Sequence, residues 1–438
     1  METNREIGLS LLEQCREDWS KDREGHRVAD ALAIGALNEI ALDHTAKGKL
    51  PFTFSIDMDV EGITDQGRSN RCWAFAFLNV ARYNVIHKLD LRERDFMLSQ
   101  NYIYFYDQLE KSNVYLNKVI KLIDQPLTHP VLAAALREPI SDYGKLSFLN
   151  LAKKYGVVPK YIMPDTYCAP DTRPVTKILS MKLRWCTREL KDMRAAGMET
   201  AQLLEAKQTM LRGIYGILCR FLGEPPRSFT FEYRDRAGQF HRLVNITPLQ
   251  FFNDYCGIPP EEYIETCHMP DEKTPFGEWY YRTDFPDEPM PADARPRLNL
   301  SIADMKAAAV NQLKGGEMVV FGSDSSTMSS RESGAMAADL FHYEQIFGTE
   351  MMMRAPDSYT YKWTTANHIM CFDGVNLDSN GNPDRWKVQN SHGDMGIHGH
   401  YVMADSWFDQ FVASAVIRKK YLPQHVLEWM DRAPRPIR

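Results

Sequence analysis

A chain of 438 residues that is 44% hydrophobic and 25% charged, with 25 Gly and 24 Pro, has ordinary globular composition, which excludes a fibrous or unfolded protein. Its 52 Lys and Arg against 58 Asp and Glu leave a formal charge of −6 and no long basic tract, so nucleic acid is not expected as the main partner. No run reaches the roughly 18 apolar residues of a spanning helix, and the first residues lack a secretory apolar core, so no membrane contact and a cytoplasmic location are expected.

In chain order, apolar residues recur at helical spacing from Glu6 to Leu42 (Leu11, Leu12, Cys15, Trp19, then Val28, Leu32, Ala36, Ile40), predicting an N-terminal helical extension. Phe52 to Ile63 has strand and loop character, and Asp65 to Asn70 is a polar loop ending in residues suited to cap a helix that starts at Cys72. Cys72 to Ala81 is apolar on nearly every face, which predicts a helix inside the protein. Helices follow over 99–123 and 146–155. Two amphipathic helices over Thr176–Ala195 and Thr200–Leu222, joined at Gly197 and stopped by Gly223-Glu224-Pro225-Pro226, predict an inserted hairpin.

Aromatic strand segments (Phe229–Tyr233, Tyr263, Trp279–Tyr281) and Pro-rich loops precede a helix over Ile302–Leu313 and a strand over Glu317–Phe321. Asn367 to Phe372 alternates, Asp378 to Pro383 is a run of turn formers, and Arg385 to Gln389 is a second strand; this is a β-hairpin. Symmetric pairing about position 379 sets His368 opposite Asn390. The eight cysteines show no Cys-x-x-Cys pair and fit free thiols in a reducing compartment.

At the first turn of a helix, unpaired N–H groups and the positive end of the dipole favour thiolate, so Cys72 is a candidate nucleophile. His368 could supply the imidazole that protonates a leaving amine, and Asn390 could fix its tautomer. Gln66, in the loop entering the helix, could bind an oxyanion together with the Cys72 N–H. Taken singly, a Cys before Trp-Ala reads as core and a strand His or loop Gln says little. Their combination at these spacings is hard to obtain by chance.

On these residues the chain resembles the papain-like cysteine peptidases, and among them the bleomycin hydrolase or aminopeptidase C family, over nearly its whole length. Asp65-Gln66-Gly67-Arg68-Ser69-Asn70-Arg71-Cys72-Trp73-Ala74 is similar to the family's nucleophile segment, where papain has Cys-Gly-Ser-Cys-Trp. Lys154 to Lys160, Phe229 to Asp235 and Ile246 to Leu249 resemble further family signatures. The 296 positions from Cys72 to His368 are about twice papain-like spacing, as a large helical insertion between the two halves requires.

The resemblance implies an α+β papain-like fold with that insertion and an N-terminal helical extension. The chain then divides into the extension (1–50), a helical half with the nucleophile helix (51–165), the hairpin insertion with connecting segments (166–300), a β-rich half with the His/Asn hairpin (301–421) and a C-terminal arm (422–438). It implies Cys72 as nucleophile, His368 as acid and base, Asn390 as orienter and Gln66 as oxyanion donor, with peptide substrates, no cofactor and a homohexamer. Tyr143, Gly144, Asn367 and His392 are the expected substrate-contacting residues.

Three departures from the family carry expectations of their own. His392 stands where relatives have a Trp shielding the Asn–His hydrogen bond, which predicts a wetter pair. Ser141-Asp142-Tyr143-Gly144-Lys145 has one glycine where relatives have two, which predicts a different subsite shape. The arm stops at Arg438 about nine residues early, a span of roughly 30 Å if extended, so Arg438 is not expected to reach the cleft and cleavage is expected to relax toward internal bonds. The residue types of His392, Asp394, His398 and His400 suit a metal, but Gly393, Gly396 and Gly399 favour a plain loop, and no metal is expected. The alternative to a peptidase is a papain-fold binding or assembly protein with reduced catalysis.

Overall fold

The computed structural model describes residues 7–58, 60–92, 96–144, 147–288, 290 and 294–437. Two helices, Leu9–Lys21 and Arg23–Leu32, open the described chain, and neither buries a single residue, so the extension lies against the outside of the fold. The helix predicted from the apolar run at Cys72 spans Cys72–Lys88. Thirteen of its residues are buried, Cys72 to Arg82 without interruption, because an all-round apolar helix has no face that gains by meeting water. Helices Gln100–Lys121 and Phe148–Tyr155 pack beside it. The polar loop does not cap the helix as expected: the N-cap is Arg71, with no side-chain cap. Its buried guanidinium instead bonds Ser69 Oγ (3.0 Å) and the Ala169 carbonyl.

The inserted hairpin is formed by Arg173–Ala195 and Thr200–Leu222. The first helix buries Val175, Leu179, Leu183, Cys186 and Leu190, and the second Leu203, Met210, Ile214, Leu218 and Leu222. With the Lys207 stem buried between Leu203 and Met210, these are three- and four-residue steps that put one stripe of each helix inside. Gly197 turns between them at φ +86°, and Glu199 with Gln202 closes a capping box on the second helix. The pair leans on Gln100–Lys121, with Tyr115 hydrogen-bonded to Thr187 at 2.7 Å.

The other half is a 12-stranded sheet. From one edge its order is Arg435–Ile437, Trp279–Arg282, Arg297–Asn299, Tyr263–Cys267, Val412–Arg418, Val319–Ser323, His368–Leu377, Pro383–Gln389, His400–Ala404, Ala335–Met336 and Ser329–Ser330. The short strand Ile56–Asp57 pairs with His368–Leu377. Phe372 stacks on Phe321 at 3.8 Å and on Trp386 at 4.8 Å, inside the aromatic core of this half. Helix Cys72–Lys88 packs across His368–Leu377, where the Cys371 thiol donates to the Ala76 carbonyl at 3.0 Å. This joining of a helical half to a sheet half is the expected α+β papain-like architecture. No helix among the described residues is long and apolar enough to cross a membrane.

The hairpin register corrects the symmetric reading. Cys371 pairs with Gln389 and Phe372 with Val388, two positions further on than pairing about 379 requires, and bulges interrupt the ladder at Phe372/Gly374 and Asn376/Leu377. Extended by the same count, the register sets His392 opposite His368. A two-residue slip keeps every side chain on its face, which is why Asn390 still reaches the imidazole.

Of the arm, Arg435–Ile437 adds a parallel strand to Trp279–Arg282, six steps along the sheet path from His368–Leu377. Arg432 and Arg435 both reach Glu278, at 3.3 and 3.2 Å. Lys145 and Arg438 lie outside the described residues.

Candidate active site

Cys72 opens the buried helix with its thiol against the sheet half. The backbone N–H groups of Ile369, Trp73 and Cys72 pull its pKa down, but burial outweighs them and pushes the thiol above its ordinary value. Ile369 follows His368 in its strand, so the contact sets the thiol beside the imidazole-bearing residue.

His368 Nε2 lies 2.8 Å from Asn390 Oδ1. The same oxygen accepts the Ser391 N–H at 2.8 Å, which identifies it as the carbonyl end of the amide. An acceptor there requires Nε2 to carry the proton, so Nδ1 of the neutral ring is left with a lone pair. Burial drives the His368 pKa down to about 4; Asn390 opposes the fall, while His392 and Arg331 add to it. Thiol and imidazole are therefore both held near neutrality, a pair able to pass one proton between them.

Gln66 is fixed from both ends. Its Oε1 accepts from Ser391 Oγ at 2.7 Å and its Nε2 donates to the Ser69 carbonyl at 2.6 Å, leaving the second Nε2 proton for another acceptor. Its backbone N–H donates to the Ser391 carbonyl at 2.9 Å, and Asp65 bridges His392. The loop holding Gln66 is thus zipped to the segment holding Asn390. At Gly67 (φ +60°) an added Cβ would lie 2.6 Å from the Pro170 carbonyl oxygen, so only glycine lets the neighbouring loop close on this turn.

The four substrate-contacting candidates separate. The His392 ring lies parallel to His368, 5.0 Å between centroids and 10° between planes. It covers the imidazole, which is 8% exposed, and so corrects the expectation of a wetter pair. Tyr143 is 53% exposed, its carbonyl turned inward to Lys111 at 2.6 Å. Gly144 lies on the indole of Trp73, where an added Cβ would come 2.7 Å from the ring. The Trp73 Nε1–H donates to the Asp142 carbonyl at 3.1 Å, which brings the Tyr143 segment beside the start of helix Cys72–Lys88. Asn367 is already committed: Nδ2 donates to Asp324 Oδ1 (2.7 Å) and Ser326 Oγ (3.0 Å), and Oδ1 accepts from Ser325.

The histidine-rich loop is dispersed. His392 joins the imidazole, His398 and Asp394 are exposed 3.6 Å apart, and His400 turns inward to Asp373 at 2.9 Å. Among the described residues no group of three or more His, Cys, Asp or Glu could hold a metal ion. Ser391, Arg331 and Lys111 escaped the sequence reading. Ser391 was visible as the neighbour of Asn390, whereas nothing in the sequence distinguishes Lys111 from a solvated helical lysine.

The sequence model of the Peptidase C1-like family matches residues 6–438. Aminopeptidase C of Lactobacillus delbrueckii subsp. lactis is 33% identical over 430 residues, covering 98% of this chain and 95% of the relative. Aminopeptidase E of Lactobacillus helveticus is 31% identical over 420 residues, covering 95% and 94%. The crystal structure of PepW from Lactobacillus rhamnosis HN001 superposes with a TM-score of 0.92 at 33% identity, covering 99% of this chain and 98% of that one. With a thiol, an imidazole and an amide gathered where such a peptidase needs them, the chain belongs to the Peptidase C1-like family of cysteine peptidases.

Proposed function

We propose that the protein is a cysteine aminopeptidase in which Cys72 is the nucleophile, His368 the proton carrier, Asn390 its orienter and Gln66 an oxyanion donor. The observation that supports the assignment is the His368–Asn390–Ser391–Gln66 chain of hydrogen bonds, which ties the imidazole to the Gln66 amide. As Cys72 Sγ attacks the scissile carbonyl carbon, its proton passes to His368 Nδ1. The Gln66 amide and the Cys72 N–H receive the carbonyl oxygen as it becomes an oxyanion. Collapse of the tetrahedral species breaks the C–N bond, and His368 returns the proton to the leaving amine. Water, deprotonated by His368, then hydrolyses the thioester and frees Cys72. Gly144, with Tyr143 beside it, offers its backbone to the substrate, and the Asn367 backbone and His392 border the same cleft.

The reading extends to a cytoplasmic homohexamer. The exposed Leu9, Leu11, Leu12 and Trp19 of the first helix support it, as apolar surface that a neighbouring subunit would cover. Mass-spectrometric product mapping of one peptide in free-amine and N-acetylated forms, with wild type and Cys72→Ala in parallel, tests the function. Release of N-terminal residues from the free-amine form, abolished by Cys72→Ala, is the expected result. Cleavage of both forms adds internal-bond activity, and cleavage of neither by wild type rejects the peptidase assignment in favour of a binding role.

A further inference from the structure

The residue before Cys72 is an arginine sealed inside the protein. Arg71 is 1% exposed, with its guanidinium 5.5 Å from the centre of the Tyr104 ring and 5.6 Å from that of Phe75. Its Nε donates to Ser69 Oγ at 3.0 Å and its Nη2 to the Ala169 carbonyl, while Nη1 has no hydrogen-bond partner among the described residues. Ser69 Oγ passes the contact on, donating to the Gln66 carbonyl at 2.6 Å, and the Ser69 carbonyl accepts from Gln66 Nε2 at 2.6 Å. One residue along from Ala169, the Pro170 carbonyl accepts the Arg68 N–H at 2.7 Å. The 66–71 loop is therefore fastened at two points to the segment that leads into the inserted hairpin, and one of those points braces the Gln66 side chain through Ser69.

We propose that Arg71 is a positioning residue for oxyanion stabilisation: its side chain fixes the Ser69 turn against which the Gln66 amide is aimed, while its own peptide link carries the Cys72 N–H. The inference rests on the peptidase reading, in which those two N–H groups receive the oxyanion. Sealing a guanidinium away from water with one nitrogen unpaired is unfavourable, and an apolar side chain of similar length would fill the space between the two rings with a smaller penalty. What an apolar side chain cannot do is donate to Ser69 and Ala169 at once, which takes the planar fork of a guanidinium. The direction of the free Nε2 proton follows from where the Ser69 carbonyl stands, and donors stabilise developing charge best when they are held in place before it forms. Loss of the fork therefore weakens binding of the transition state more than binding of the substrate.

The test measures two reactions in wild type, Gln66→Ala, Arg71→Met and the double variant. One is hydrolysis of an aminoacyl fluorogenic amide with a free amine; the other is alkylation by iodoacetamide, in which the Cys72 sulfur displaces iodide and no oxyanion forms. Gln66→Ala is expected to lower kcat about a hundredfold. Arg71→Met is expected to lower kcat about tenfold, with KM and the alkylation rate within about twofold of wild type, and to add less than about twofold on the Gln66→Ala background. If Arg71→Met does not fold, Ser69→Ala, which removes the hydroxyl between the guanidinium and the Gln66 carbonyl, is the readout, with a loss of about threefold that likewise vanishes on the Gln66→Ala background. A loss that persists in full beside Gln66→Ala, an alkylation rate that falls in parallel, or an undiminished kcat in a folded variant would each overturn the proposal. Wild type without hydrolysis, or hydrolysis that survives Cys72→Ala, would instead overturn the peptidase reading.

Discussion

His368 shows how far a single environment moves a functional group. Its imidazole is buried and covered by His392, and burial, His392 and the Arg331 charge all disfavour a second proton, while the Asn390 hydrogen bond favours it. On the proposed mechanism, the base that takes the thiol proton therefore stays competent well below neutral pH. We expect the acid limb of kcat/KM to fall near pH 4, and Arg331→Gln, an exposed position, to move that limb upward. Steady-state rates between pH 3 and 7 check this, and a limb near pH 6.5 or one indifferent to Arg331 would contradict it. At this scale the sequence was generous: residue type and spacing single out Cys72, His368, Asn390 and Gln66, and the structure links His368 to Asn390 and Gln66 to the neighbouring Ser391. It was silent on Ser391 as the link to Gln66 and on Arg71 as the N-cap, since both depend on which distant backbone a side chain meets.

Among elements, the His368–Leu377 and Pro383–Gln389 hairpin is the informative case. Turn formers at Asp378 to Pro383 announce the pair of strands, yet the register is shifted by two because the turn centres one position later, with Leu377 opposite Pro383; two mutually offsetting bulges then enter the ladder, one of them at Asp373. No local signal marks that bulge. It turns a carboxylate into the interior, fully buried, where His400 approaches to 2.9 Å and Lys387 to 3.7 Å from the next two strands. The contact with His400 is an ion pair whenever the imidazole is protonated. Asp373 raises the His400 pKa against the opposing effect of burial. A histidine raised in the folded state stabilises fully below its unfolded value of about 6.5 and loses that contribution as pH climbs through its higher folded value. The stability difference between wild type and His400→Gln should therefore shrink from pH 6 to pH 8.5 in urea titrations. A difference that stays level or grows would refute the linkage.

For the whole molecule, the helical half was readable from apolar periodicity, as in Arg173–Ala195 and Thr200–Leu222, because a helix writes its buried stripe into three- and four-residue steps. The sheet half was not: the order that carries Arg435–Ile437 onto Trp279–Arg282, and Val412–Arg418 between Tyr263–Cys267 and Val319–Ser323, joins segments far apart in sequence that no local pattern ties together. The same remoteness reaches the active site. The thiol of Cys371 meets the carbonyl of Ala76 across 295 positions of chain, at the seam where nucleophile helix and histidine strand come together. Contacts of such separation are closed late, after local helices have formed, because the loop entropy they cost is large until both halves are built. On the proposed assignment catalysis is thus a property of assembly, with Cys72 and Gln66 on one side of the seam and His368 and Asn390 on the other. On dilution from denaturant, the far-ultraviolet helical signal should return before Cys72-dependent hydrolysis does, so that turnover itself serves as the clock for the closing of the seam.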